Sequence, residues 1–277
     1  MRVLIDADCG RIGEGLASSL FWVPEMEVMT WFASAKPAMD MFDETNPDIL
    51  IVKGQKLNSA EIKIASSRYP NTRLISIGAV EDNIISPHLS LANPKQANKF
   101  PSIPFFGGAM LGAIGNAQEN VQMESEVLCI TDYLDLQKEE NLEYLKFVCE
   151  NYNAKFFGLK RVPFASYLGT VTPAQKASSI ASTSVYLDLD GESWHDAAWL
   201  GKEVVSVSEN SLNHFSGMED LEEKIDFCLS RKGSATNEIK ATVVNATYFD
   251  LSYELLNFLG FSNEAMFLQQ KKKELLC

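Results

Sequence analysis

The chain has 277 residues, of which 46% are hydrophobic and 22% charged, and its formal net charge is −13. That length fits one large or two ordinary domains with a sizeable core, and that acidity argues against a non-specific nucleic-acid binder, because attraction to phosphates needs Lys and Arg. No run of about 18 apolar residues occurs, so no membrane insertion is expected, and five scattered cysteines without a Cys-x-x-Cys pair point to free thiols in a reducing cytoplasm rather than a disulfide frame or zinc site.

The opening, MRVLIDAD, reads directly as a strand, so no secretory leader is expected. Gly10, Gly13 and Gly15 then open a helix. Their G-x-x-G-x-G spacing is not the dinucleotide fingerprint, and the loop lacks the Lys-Ser/Thr of a P-loop. Glycine there serves tight packing or ligand approach equally well. Strands are predicted over Glu27–Phe32, Pro47–Val52, Thr72–Ile77 and Leu89–Ala92, with helices over Pro37–Glu44 and from a capping box at Asn58–Glu61 to Tyr69. This alternation predicts a doubly wound first domain. Its outline is similar to a response-regulator receiver, with Asp6 and Asp8 after strand one, Pro47-Asp48 before strand three and Ser76 in strand four. Lys53 stands where the phosphoacceptor Asp would be, which argues against phosphotransfer. Residues 93–115, with Pro94, Pro101, Pro104 and four glycines, read as a connection with a short helix around Met110.

The second domain begins near Ser125. Glu126–Thr131 is a strand, 132–138 a loop, Glu139–Asn151 an amphipathic helix and Ala154–Phe157 a strand. Val162–Leu168 leads to a turn at Gly169, and Pro173–Ser182 is a helix with proline near its first position. Then come a strand over Ser184–Leu189, a polar turn, a short helix over Ser193–Leu200 closed by Gly201, and a strand over Glu203–Val207. Ser193 reads as the N-cap, with Asp196 three residues on in a variant of the capping box. Leu221–Ser230 is a helix and Arg231–Asn237 a turn; from Ile239 the chain is largely helical, with Leu251–Leu259 and Ala265–Leu276 the clear pieces. The expected organisation is therefore 1–115, 125–250, and helices over 251–277. Lys53 to Arg73, Lys155/Lys160/Arg161 and Lys271–Lys273 hold the denser basic runs, and each reads as a solvated face.

Open parallel sheets bind ligands beyond the carboxyl ends of their strands. Asp190, Glu192, Ser193 and His195 fall at that end of the strand-turn-helix-strand unit, where a helix N-terminus offers N–H groups suited to a phosphate. Asp190-Gly-Glu-Ser-Trp-His195-Asp-Ala-Ala-Trp-Leu-Gly201-Lys resembles the loop and helix of GT-B glycosyltransferases of the heptosyltransferase type. Gly169-Thr-Val-Thr-Pro resembles the turn that precedes it there, and Phe215-Ser-Gly-Met-Glu-Asp-Leu the segment that follows. The resemblance covers roughly residues 125–232 and extends to phage DNA glucosyltransferases.

The resemblance implies an α/β protein of two Rossmann-like doubly wound domains, with a C-terminal helix returning to the first. It implies a nucleotide-diphosphate sugar as co-substrate, no cofactor, no metal despite the D-x-D at Asp188 and Asp190, and an acceptor that includes modified DNA among its candidates. Transfer needs a base, partners for the departing diphosphate, and a pocket for base and ribose. Asp8 is the candidate base, with Glu14 second; the bland alternative is that Asp6 or Asp8 caps the next helix. Donor binding falls to Arg11, Thr131, Lys138, Gly169, Thr170, Asp190, Glu192, Ser193 and His195, with Lys202 as a further cation; His195 reads equally as a helix histidine without a ligand. The phage enzymes carry arginines in the loop that spans 131–138 here, whereas this loop holds only Lys138. A non-catalytic relative of the transferases is therefore the competing reading.

Overall fold

All strands that pair in the computed structural model run parallel, which fits their near-continuous apolar sequences: both faces of such a sheet are covered by helices. The structure describes all residues except 33–36, 79–86, 93–99, 106, 116, 232–235 and 277. Part of the expected connection (93–99) and of the expected 231–237 turn (232–235) lies outside the described residues. The chain divides into two units, Met1–Phe106 with Tyr248–Cys277, and Gly107–Thr247.

The first unit holds β1 (Arg2–Asp6), β2 (Glu27–Trp31), β3 (Ile49–Lys53), β4 (Arg73–Ile77), β5 (Leu89–Ala92) and β6 (Ser102–Pro104) in the order β2-β1-β3-β4-β5-β6. Helices α1 (Gly10–Leu20), α2 (Ala38–Thr45) and α3 (Ala60–Arg68) connect the first four strands. In register, Ile5 faces Ile51 and Ile51 faces Ile75. Ser59 caps α3, its hydroxyl accepting from the Ile62 N–H at 3.3 Å. Strand β6 was hidden in the Pro- and Gly-rich stretch. It is an edge strand, and prolines at 101 and 104 are tolerated there because no further strand needs their missing N–H groups.

Helices α10 (Tyr248–Phe258) and α11 (Ser262–Leu276) close this unit. α10 lies on α1: the Ser19 and Ser252 hydroxyls are 2.6 Å apart and buried. A side chain at Gly15 would run into the Tyr248 ring, and one at Gly13 would meet Cys9 Cβ at 2.7 Å. Gly13 and Gly15 therefore serve packing. Lys272 ties α11 to α10 through both oxygens of Asp250, at 2.8 and 2.7 Å.

The second unit holds α4 (Leu111–Ile114), β7 (Ser125–Ile130), α5 (Glu139–Asn151), β8 (Ala154–Phe157), α6 (Pro173–Ser182), β9 (Thr183–Asp188), α7 (Trp194–Trp199), β10 (Glu203–Ser206), α8 (Met218–Ser230) and α9 (Thr236–Val243). Its strand order is β10-β9-β7-β8. Period-2 alternation sends Val127, Cys129, Val185 and Leu187 to one face, under Leu145 and Val148 of α5 and Leu221 and Ile225 of α8. Leu128, Ile130 and Tyr186 go to the other, under Ile180 of α6, Ala197 of α7 and Val243 of α9. Residues 107–115, read from sequence with the first domain, belong to this unit: Ala109 bridges Thr247, and the Met110 N–H donates to Asp196 at 2.9 Å.

Candidate functional site

In each sheet the strand order reverses once, between β1 and β3 and between β7 and β9. Connections leave to opposite sides at such a point, and a crevice opens beyond the strand ends.

In the second unit β9 delivers Asp188 to that place, 1% exposed. Its Oδ1 accepts from the Gly191 N–H at 3.2 Å and the Ser193 hydroxyl at 2.9 Å, and its Oδ2 from the Ser206 hydroxyl of β10 at 2.6 Å. Ser193 also accepts from the Tyr186 phenol at 3.0 Å. Gly191, at φ 80°, makes the bend that returns its N–H to Asp188. Asp190 Oδ1 accepts from the N–H groups of Glu192 and Ser193, at 2.7 and 2.8 Å. The turn is thus held at four backbone or side-chain points. Burial first, then the neighbouring Asp190 carboxyl, push the Asp188 carboxyl well above the usual carboxylate range.

This corrects the expected capping. Ser193 makes no side-chain cap, because its hydroxyl is engaged by Asp188 and Tyr186; Asp190 takes the N–H groups instead. Asp196 faces Met110 rather than the helix start. The N–H groups of Glu192 and Ser193, expected to face a phosphate, therefore already hold a carboxylate. His195 is 3% exposed. Its ring stacks on Trp194 at 3.9 Å, lies 3.2 Å from the Glu192 carbonyl through Nδ1, and covers Gly107, where an added Cβ would meet Cε1 at 2.7 Å. The histidine fixes the chain at 107–110 against α7.

Across the reversal, β7 is followed by Thr131, fully buried, whose hydroxyl donates to the carbonyls of Phe157 at 3.1 Å and Lys160 at 2.7 Å. It knits the ends of β7 and β8. Asp132 follows, accepting from the Leu159 N–H at 2.8 Å and pairing with Lys176 of α6 at 2.9 Å. Both side chains are less than one-fifth exposed, at 17% and 18%. Lys138 is exposed at the start of α5. Gly169, at φ 92°, has open space where a Cβ would stand, and Thr170 is exposed beside it. Thr172 and Gln175 form a reciprocal capping box just before α6. Lys176, paired with Asp132 beside the reversal, is not among the candidates read from sequence. Its place in the first turn of the helix after the Gly169 bend was the available signal.

In the first unit, Asp6 and Asp8 stand at the end of β1. Lys56, beyond β3, reaches Asp6 at 2.6 Å and Asp8 at 2.5 Å. The hydrogen bond from Lys56 holds the Asp8 carboxyl below its usual range. Asp6 also caps the short turn after β1, accepting from the Asp8 N–H at 3.0 Å. Glu14 is exposed on α1, while Arg11 is 1% exposed. Lys202 pairs with Glu119 at 3.2 Å.

Among the described residues, no three His, Cys, Asp or Glu side chains cluster to hold a metal, and no helix is long and apolar enough to cross a membrane. No protein-family model matches the chain. No curated protein matches it either. Solved structures do. A spinosyn forosaminyltransferase superposes with a TM-score of 0.57 at 11% identity, over 94% of this chain and 99% of that one. An alpha-glucosyltransferase, solved in complex with UDP-glucose and DNA containing an abasic site, gives 0.54 at 10% identity over 88% and 94%. The UDP-GlcNAc 2-epimerase from Neisseria meningitidis, bound to UDP-GlcNAc, gives 0.50 at 11% over 94% and 99%.

The chain has the GT-B fold. Two parallel, doubly wound sheets and C-terminal helices that join the first unit are its parts here. The GT-B resemblance first carried by Asp190 to Gly201 is thus met across nearly the whole chain.

Proposed function

We propose that this GT-B protein binds a nucleotide-diphosphate sugar at the β7/β9 reversal of its second unit and transfers the sugar to an acceptor. The observation that supports it is the rigid Asp190–Ser193 turn standing at the point where strand order reverses. In this reading Asp190 and Glu192 accept hydrogen bonds from ribose hydroxyls. Lys176, with Lys138 further out, offsets diphosphate charge. Gly169 and Thr170 admit the nucleotide to the backbone, and Thr131, Ser193 and His195 hold the frame. Asp8 is the proton acceptor, with Glu14 second; Lys56 keeps Asp8 ionised, which leaves it ready but weakly basic. Modified DNA is one candidate acceptor, and the net charge of −13 then demands a locally basic surface.

A second reading, nucleotide-sugar binding without transfer, is favoured by the Asp8–Lys56 pairing and by a 131–138 loop without arginine. Incubation with UDP-glucose and UDP-GlcNAc, with and without acceptors that include modified DNA, separates the two. Acceptor-dependent release of nucleoside diphosphate supports transfer. Binding without release supports the second reading, a sugar epimerised without acceptor replaces both, and no binding removes both.

A further inference from the structure

The chain enters the second unit at Gly107 and leaves it at Thr247. The entry rests on Glu192, His195 and Asp196, which run from the candidate turn into α7. Gly107 lies under the His195 ring: a Cβ there would meet Cε1 at 2.7 Å and the Glu192 carbonyl at 3.5 Å, and its φ of 117° keeps the position for glycine. The ring is itself fixed to the turn, because Nδ1 donates to that same Glu192 carbonyl at 3.2 Å. One residue on, Asp196 Oδ1 accepts from the Met110 N–H at 2.9 Å, a buried contact. Residues 107–110 are buried but belong to no named strand, so their N–H groups depend on such partners. The Ala109 N–H goes to the Ala246 carbonyl at 2.9 Å, beside the bridge between Ala109 and Thr247. The exit of the chain is therefore tied to its entry, and the entry to α7. Glu192 stands at the other end of this series: its N–H, with that of Ser193, is held by Asp190.

We infer that His195 and Asp196 are positioning residues that join the Asp190–Ser193 turn and the two ends of the second unit, 107–110 and 246–247, into one cooperative element. Neither side chain touches a ligand in this role. Opening of 107–110 removes the surface on which the His195 ring and the Glu192 carbonyl rest, and so loosens the turn. Ordering of the turn in the same way favours the docked segment. A ligand that takes the ordered turn therefore also tightens 107–110 and 246–247, and by linkage the docked segment raises the affinity of the turn by the same factor. The ligand half of this inference rests on the nucleotide-sugar reading; the anchoring of 107–110 and 246–247 does not.

Amide hydrogen exchange tests both halves. Without ligand, Asp196→Ala deprives the Met110 N–H of its acceptor, and a buried N–H so left opens to water. The Ala109 N–H has a different acceptor, yet it should exchange faster in step with Met110, by at least about fivefold. Faster exchange at Met110 alone would overturn the inference. Should the variant not fold, the wild type decides in sub-denaturing urea. The Ala109, Met110, Glu192 and Ser193 amides are then expected to share one urea dependence, as members of one opening unit do, and unequal dependences overturn the inference. With saturating UDP-glucose, the Ala109 and Met110 amides should slow by about fivefold or more, and Asp196→Ala should weaken UDP-glucose affinity by a matching factor. A bound ligand that leaves exchange at 109 and 110 unchanged overturns the coupling. Absence of UDP-glucose binding removes the nucleotide reading, and the ligand-free exchange then decides the anchoring by itself.

Discussion

Lys176 and Asp132 meet at 2.9 Å between the first turn of α6 and the end of β7, each less than one-fifth exposed. The pair places a cation at the reversal of strand order in the second sheet, and its carboxylate also receives the Leu159 N–H. An ion pair of this kind is balanced when empty and can give its cation to an incoming phosphate. Lys176→Met is expected to weaken UDP-glucose binding by about tenfold to a hundredfold, the scale of one charge-assisted contact at 1.5–3 kcal/mol. Lys138→Met, at an exposed position, should change affinity less than about threefold. Calorimetric titration of both variants checks the contrast; equal effects would remove Lys176 from the site.

Lys56 holds two carboxylates of unequal burial, Asp6 at 1% side-chain exposure and Asp8 at 61%. Lys56→Met leaves a buried charge without its partner and should cost about 3 kcal/mol of unfolding free energy. Asp8→Asn breaks only the solvent-screened half and should cost less than about 1 kcal/mol. Urea unfolding at pH 7 measures both. A Lys56→Met cost no larger than that of Asp8→Asn would show that Asp6 does not depend on Lys56.

The pairing of Asp8 with Lys56 also sets a pH dependence. The folded Asp8 carboxyl is held down by the hydrogen bond from Lys56. Its contribution is present above the unfolded value near ~3.9 and is lost as pH falls through the folded value. The stability difference between wild type and Asp8→Asn should therefore be constant from pH 5 upward and shrink below pH 4. A difference that grows on acidification would contradict the pairing.

Gly15 and Gly107 are glycines because of what lies above them. An alanine at 15 meets the Tyr248 ring, and one at 107 meets the His195 ring at φ 117°. Overpacking of this kind costs about 1–3 kcal/mol, with backbone strain added at position 107. Gly15→Ala should also loosen α10 from α1, read as faster proteolysis within residues 248–277. Gly169→Ala, with open space around it, should lose only the strain of its positive φ.

Much of the fold was legible in the chain. Ile49 to Val52 and Val127 to Ile130 are apolar on both faces, and only a helix-covered parallel strand needs that. Pro173 near the first helical position marked the start of α6, where the structure adds the Thr172 and Gln175 box. Strand β6 was not legible, because Pro101 and Pro104 argue against a strand until its edge position is known. The geometry around the candidate site was legible in part. Asp190 and Ser193 fall in the turn between β9 and α7 as expected, but which of them caps α7 depends on Asp188 and Tyr186 capturing the Ser193 hydroxyl, a contact that no local pattern encodes. Lys176 escaped for the same reason: its partner Asp132 is 44 residues away. Arg11, read from sequence as a donor-binding candidate, is buried in the fold, which no local pattern showed.

The most direct test of the central claim is amide hydrogen exchange with and without saturating UDP-glucose. Ligand-dependent protection should appear at 131–134, 169–176 and 188–194, the segments around the reversal between β7 and β9. Protection confined to 6–15 and 53–58 at the β1/β3 reversal, or no protection anywhere, would contradict the placement of a nucleotide sugar in the second unit.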